Sequence, residues 1–278
     1  MLTTTYEMLQ KAYEGHYAVP AINTQGGTYD IIRAVCMAAE ELRSPVILAH
    51  YVNTGAYSGH DWFYETAKWM AGKVSVPVAI HLDHGDSFER CMEMLKLGFT
   101  SIMFDGSALP VEENAAATEA VARVCRSFGV PLEAEIGELC RLDDRGNKIG
   151  ASNIADPDVV RQYLKLCHPD SLAIGIGNAH GIYKGTPNLD FGRLEACRKL
   201  GAPPLVLHGG SGIPEEMIKK AISLGIRKIN VATEVRLAFM EGLKSAVGSR
   251  DIYKMYQAAK AGTIELARTK IRMFQNKE

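Results

Sequence analysis

No stretch of this 278-residue chain is apolar for long enough to cross a bilayer. Its opening, Met1-Leu2-Thr3-Thr4-Thr5-Tyr6-Glu7, has neither the basic nor the apolar region of a secretory signal. A basic excess is missing too. Lys and Arg number 31 against 32 Asp and Glu, a net charge of -1, which argues against a nucleic-acid partner. The six cysteines, Cys36, Cys91, Cys125, Cys140, Cys167 and Cys197, include no CxxC pair. Four of them, Cys36, Cys91, Cys125 and Cys197, lie in helix-like apolar stretches, where a free thiol acts as a small hydrophobe. All six are read as reduced, which points to the cytoplasm. What remains is an ordinary globular composition, 47% apolar and 23% charged. The length suits one large α/β domain or two small ones, and a chain of this size can bury most of its unfolded surface in one core.

Short apolar runs alternate with helical periods along the whole chain. A helix over Thr3–Glu14 precedes a strand at Val19–Asn23. Helix follows at Thr28–Leu42, strand at Pro45–His50, helix at His60–Lys73 and strand at Pro77–Leu82. Next come a helix at Ser87–Leu97, a strand at Thr100–Asp105, a helix at Val111–Phe128 and a strand at Pro131–Ile136. The connection from Gly137 to Asn153 is long and polar, as lids and binding loops are. Asp156 and Pro157 open the next helix. Strands at Asp170–Ile176, Leu205–Leu207 and Arg227–Val231 then alternate with helices at Asp190–Leu200, Pro214–Leu224 and from about Glu234. The chain ends in a helix or helix pair over Asp251–Phe274.

Eight strand–helix units with short linkers and no composition break predict a (β/α)8 TIM barrel, residues 1–278 as a single domain with extra N- and C-terminal helices. An open doubly wound sheet would need a GxGxxG loop after the first strand, and Asn23-Thr24-Gln25-Gly26-Gly27 is not one. In a barrel, polar strand ends meet at the C-terminal mouth. Those ends are Asn23, Asp83, His84, Asp105, Glu135, His180, His208 and Asn230. His81 and His84 are three apart, an odd spacing that places them on opposite faces of a strand, so one of the two should reach the mouth.

Three imidazoles with an open fourth position describe a catalytic zinc site, and no thiolate accompanies His84, His180 and His208 to suggest a closed structural one. Asp83, beside His84, is the candidate acid/base; Asp105 and Glu135 are further oxygen ligands, or partners that fix a histidine tautomer. Gly209-Gly210-Ser211-Gly212 and Asn230-Val231-Ala232-Thr233 follow the last two strands, where barrels commonly bind phosphate. The residues alone therefore indicate a zinc-dependent barrel enzyme acting on a small phosphorylated molecule, with the metal polarising a carbonyl.

Seven stretches, in order, resemble the class II (zinc-dependent) ketose-bisphosphate aldolases, tagatose and fructose types. They are Tyr17–Asn23, His81–Gly85, Met103–Ser107, Glu133–Gly137, His180–Gly185, Leu205–Gly212 and Lys228–Glu234. The resemblance implies reversible cleavage of a ketose 1,6-bisphosphate to dihydroxyacetone phosphate and an aldehyde such as glyceraldehyde 3-phosphate, through a zinc-stabilised enediolate. It implies one catalytic zinc on His84, His180 and His208, with Asp105 and Glu135 at a second metal or monovalent-cation position. Asp83 would move the C4 hydroxyl proton, Asn23 would touch the enediolate, and Gly181, Gly209–Ser211 and Asn230–Thr233 would hold the phosphate end. It also implies a homodimer or homotetramer.

Two departures stand out. Where the family has a Gly-Gly-x-Glu-Asp loop whose Glu shuttles the C3 proton, this chain has Cys140-Arg141-Leu142-Asp143-Asp144, so Asp143 is the candidate shuttle. Where fructose-type enzymes place a C-terminal Arg for the far phosphate, the chain offers Lys260, nearer the tagatose pattern. An aldolase for a ketose 1-phosphate with another far-end group, such as sulfonate or carboxylate, is one alternative reading; a non-catalytic accessory subunit is another. A metal-dependent hydrolase would want a His-x-His pair at Ala21-Ile22-Asn23.

Overall fold

The computed structural model describes residues 1–143, 146–149 and 154–275. Its eight long strands form a parallel barrel closed on itself.

The first half of the chain runs α1 (Thr5–Gly15), β1 (Val19–Asn23), α2 (Tyr29–Glu41), β2 (Val46–Tyr51), α3 (Val52–Ser58), α4 (His60–Ala71), β3 (Val78–Gly85), α5 (Phe88–Leu97), β4 (Ser101–Phe104) and α6 (Val111–Ser127). After β5 (Leu132–Ile136) comes a two-stranded hairpin, β6 (Arg141–Leu142) and β7 (Lys148–Ile149). Then follow α7 (Pro157–Leu166), β8 (Ser171–Ile174), α8 (Phe191–Lys199), β9 (Leu205–Leu207), α9 (Glu215–Ser223), β10 (Ile226–Val231), α10 (Thr233–Ala246) and α11 (Ile252–Gln275). Barrel order is β1-β10-β9-β8-β5-β4-β3-β2, with every barrel pair parallel. The TIM barrel read from the alternation is the observed fold.

Apolar residues lie on both faces of each strand because both are covered. Outward side chains such as Leu48, Ile80, Leu82, Ile102 and Leu172 pack under the helices in one continuous core. A smaller cluster fills the barrel floor, where Met8, Leu9 and Ala12 of α1 meet Ala21, Ile47, Ala49 and Ala79. Tyr6 and Tyr13 of α1 stay half-exposed on its other side. The helix expected over His60–Lys73 is preceded by α3, which sequence periodicity did not show. Asp156 caps α7, its side chain accepting from the Asp158 N–H, with Pro157 in the first turn as expected. All six cysteines are buried free thiols. Among the described residues no helix is long and apolar enough to cross a membrane.

The strand-parity expectation for His81 and His84 needs correction. Both side chains face the barrel interior, at different heights. Between Leu82 and Gly85 the β3–β4 register shifts, and His84 takes a left-handed backbone, φ 54°. That kink supplies the extra residue, so alternation fails there. His81 is fully buried below the mouth, while His84 lines the mouth cavity.

Candidate active site

A cavity of about 440 Å³ opens at the C-terminal mouth. Asn23, Asp83, His84, Asp105, Glu135, His180, Gly181, Gly209, Ser211, Asn230, Val231, Ala232 and Thr233 all line it. His208 sits just beneath, 1% exposed. One ring nitrogen from each of His84, His180 and His208 falls in a group whose members lie within 4.8 Å of one another. His84, Asp105 and Glu135 form a second such group, sharing His84.

The hydrogen bonds behind these rings assign their tautomers. His84 Nδ1–H donates to Asp105 Oδ2 at 2.7 Å, and His208 Nε2–H donates to Glu133 Oε1 at 2.9 Å. Carboxylates at those positions turn the opposite nitrogens, His84 Nε2 and His208 Nδ1, toward each other. They stand 3.1 Å apart. Two lone pairs cannot share that gap without a proton or a cation between them. Burial opposes a charged His84 ring, but the Asp105 hydrogen bond and the charges of Asp83, Glu135 and Asp105 push its pKa up to about 10. His180 moves the other way, down to about 4, through burial and the charge on His84. Glu135 is raised well above the usual carboxylate range by burial and by the neighbouring Asp105 charge. Its Oε2 is buried without a hydrogen-bond partner, 3.8 Å from His84 Nδ1 and 3.6 Å from His208 Nδ1. Convergent imidazole nitrogens with an orphaned carboxylate oxygen are the donor set a divalent cation requires, so these residues fit a metal ion.

Asp83 stands at 4.0 Å from His84 Nε2, and Asn230 Nδ2 donates to its Oδ1 at 2.9 Å. The amide predicted for the phosphate end thus holds the candidate acid/base. Gln25 similarly donates to Asn23 Oδ1 at 3.0 Å. Helix α10 opens at the mouth, where the Glu234 N–H donates to Ser211 Oγ at 3.3 Å and the first turn lies beside Ser211 and Thr233. Gly209 is left-handed, φ 62°, and a Cβ there would lie 2.2 Å from Ala179 O. Gly210 does not line the cavity; its N–H donates to Asn230 O at 2.9 Å, tying the two loops together. Gly181 adopts φ 127°, and Leu142 of β6 rests where its Cβ would be, 2.8 Å away.

Two predicted residues lie elsewhere. Asp143, just after β6, accepts from the Asn147 N–H and side-chain amide and is not among the cavity-lining residues. Lys260 lies on α11, which packs along α10, also away from the cavity lining. Asp144 and Asn153 fall outside the described residues.

Sequence reasoning passed over several groups that matter. Glu133 backs His208 and is itself held by Lys228, whose Nζ donates to both its oxygens at 2.9 and 2.8 Å. Lys228 donates also to His81 Nε2 at 3.1 Å, and His81 Nδ1–H donates to Ser101 Oγ at 2.7 Å. Ser101 shares a 2.8 Å hydrogen bond with Thr5 of α1. Tyr51, Arg141 and Arg236 line the cavity as well. A lysine inside an apolar run, Ile226-Arg227-Lys228-Ile229, was the one signal of the buried network.

Comparison with known proteins agrees with this geometry. The family model for class II fructose-bisphosphate aldolase matches residues 3–278. The chain is 41% identical over 254 residues to a fructose-bisphosphate aldolase of Mycoplasma pneumoniae, covering 90% of this chain and 86% of that protein. It is 38% identical to the 6-phospho-5-dehydro-2-deoxy-D-gluconate aldolase of Halalkalibacterium halodurans, over 99% of this chain and 96% of that one. The crystal structure of the YdjI aldolase from Escherichia coli K12 superimposes with a TM-score of 0.88 at 32% identity, covering 99% and 97% of the two chains. A parallel barrel with three imidazoles gathered at its mouth, matched over nearly its whole length, belongs to the class II fructose-bisphosphate aldolase family of aldehyde-lyases.

Proposed function

We propose that this chain, as a single domain, is a zinc-dependent cytoplasmic aldolase, working as a homodimer or homotetramer on a ketose 1-phosphate whose far end bears a second anionic group. The phosphorylated sugars in its relatives' names are a ketose bisphosphate and a sugar acid. The observation that carries the reading is the 3.1 Å approach of His84 Nε2 and His208 Nδ1, with His180 adjacent and Asp83 held alongside by Asn230.

His84, His180 and His208 would hold the ion, and Asp105 and Glu135 would offer a second position for a metal or monovalent cation. When bound, the ion supplies Lewis-acid polarisation of the ketose carbonyl. The remaining work belongs to the chain. Asp83 accepts the C4 hydroxyl proton as the C3–C4 bond breaks and returns it in condensation. Gly181, Gly209, Gly210 and Ser211, with Val231, Ala232 and Thr233 at the α10 N-terminus, receive the C1 phosphate. Asn23 touches the enediolate oxygens, and Asn230 holds Asp83 in place. Asp143 transfers the C3 proton, which requires the hairpin end to turn toward the mouth. Lys260 is not among the residues that line the cavity, and the far-end contact is assigned to another residue below.

The test is triose phosphate release from a panel of ketose phosphates, with and without chelator. Cleavage that chelation abolishes and zinc restores is expected; cleavage indifferent to chelation overturns the metal reading, and none on any substrate overturns the activity. In the same preparation, Asp143→Ala should lose hydrogen exchange at C3 of dihydroxyacetone phosphate, and unchanged exchange removes Asp143 from the mechanism.

A further inference from the structure

Resting on the aldolase reading, we infer that Arg141 and Tyr51 form an anion-binding subsite that grips the far end of the substrate, a phosphate or carboxylate on the aldehyde half. Arg141 stands where the resembling family has a glycine, and that position lines the cavity.

The hairpin backbone fixes the base of this side chain. Arg141 pairs with His180 in a parallel bridge, and the next N–H, of Leu142, donates to His180 O at 2.6 Å. From there the side chain crosses to β2, where Arg141 Nη2 donates to Tyr51 Oη at 2.6 Å and its guanidinium carbon lies 5.8 Å from the ring centre. The same Tyr51 ring meets His84 edge-on, centroids 6.0 Å apart. One aromatic ring therefore touches both the guanidinium and a candidate cation-binding imidazole. The charge of Arg141 reaches His180 and helps depress its pKa.

Counting donors gives the ligand class. Tyr51 Oη accepts from Arg141 and also from Asn53 Nδ2 at 2.8 Å. Both phenolic lone pairs are then in use, so its O–H remains available to donate. Arg141 spends one of five N–H groups on this contact. Among the described residues its side-chain partner is the Tyr51 phenol, by hydrogen bond and ring contact, and not a carboxylate. A planar fork with spare donors beside a free phenolic O–H recognises phosphate or carboxylate, and neutral hydroxyls far less well. The loops proposed for the C1 phosphate line the same cavity, as does Arg236 on the first turns of α10. The cavity is thus lined by two guanidinium groups, Arg141 and Arg236, as well as by the imidazoles of His84 and His180.

The experiment measures condensation of dihydroxyacetone phosphate with three aldehydes: glyceraldehyde 3-phosphate, succinic semialdehyde and uncharged glyceraldehyde. In the zinc-loaded wild type, the ratio of kcat/KM for the better anionic aldehyde over glyceraldehyde reports the subsite. Arg141→Met should lower that ratio about tenfold or more, mainly through KM. Arg141→Lys should keep part of it, since charge survives and the fork does not. Tyr51→Phe should lower it by less than Arg141→Met. The two anionic arms decide between phosphate and carboxylate as the natural group. If Arg141→Met slows all three aldehydes equally, the residue only props the hairpin on His180 and the inference fails. If the wild type condenses none of them, the aldolase reading falls first and the subsite with it.

Discussion

Three strands each contribute to two polar layers inside the barrel, and the layers behave oppositely. β3 gives His81 to the lower and His84 to the upper; β5 gives Glu133 and Glu135; β10 gives Lys228 and Asn230. In the lower layer the ionisable groups are all partnered. Lys228 uses its three N–H groups on Glu133 and His81, and His81 passes on to Ser101 and Thr5. In the upper layer, Glu135 Oε2 and Asn230 Oδ1 are buried without partners, and two imidazole nitrogens confront each other. Polar residues two or three positions further along the same strands turn a closed support below into an open-valence site above. Satisfied polar networks rigidify; unsatisfied ones wait for a ligand.

Breaking the lower layer should have the largest effect on the fold. Lys228→Met strands the Glu133 carboxylate in the core and should cost about 3–5 kcal/mol in urea unfolding. Adding Glu133→Gln to it should recover much of that loss; a single variant within about 1 kcal/mol of wild type would show that the layers do not differ in this way. Glu133 is the joint between them, because it also receives the His208 N–H. Glu133→Gln alone should weaken metal binding about 10- to 100-fold in chelator competition. Unchanged affinity would separate the layers entirely.

A third effect is on pH dependence, and the layers differ in sign. His81, held neutral well below its ordinary pKa by burial and the Lys228 charge, contributes stability present above about pH 6.5 and lost on acidification. His84 in the metal-stripped protein, raised to about 10, contributes stability present below pH 6.5 and lost as pH rises toward 10. The alkaline limb should fall by up to about 1.4 kcal/mol per pH unit and should flatten in His84→Gln. An identical limb in that variant would reassign the proton.

The barrel was legible because eight apolar runs alternate with helical periods, and the mouth because each run ends in a polar residue. His180 and His208 were placed by that logic alone. Other features were hidden for local reasons. Helix α3 carries Asn53, Thr54 and Gly55, poor helix formers, and Gly55 is there because His50 and His60 crowd it, a Cβ meeting them at 2.3 and 2.4 Å. The height of His84 depends on a kink at one residue, which parity cannot foresee. Lys228 reads as a surface lysine until strand closure shows that both neighbours of β10 wall it in. Asp143 and Lys260 were placed by ungapped matching to a family pattern, which fixes the position along the chain but not where the side chain points.

The pairing between the β6 hairpin and His180 has an engineering consequence. His180 N–H donates to Cys140 O, and its carbonyl receives the Leu142 N–H, so one ladder carries both the segment that reads the aldehyde and the ring that steadies the cation. If the proposed roles hold, loop grafts from relatives meant to retune substrate choice would shift metal affinity as well, and should be screened for both at once.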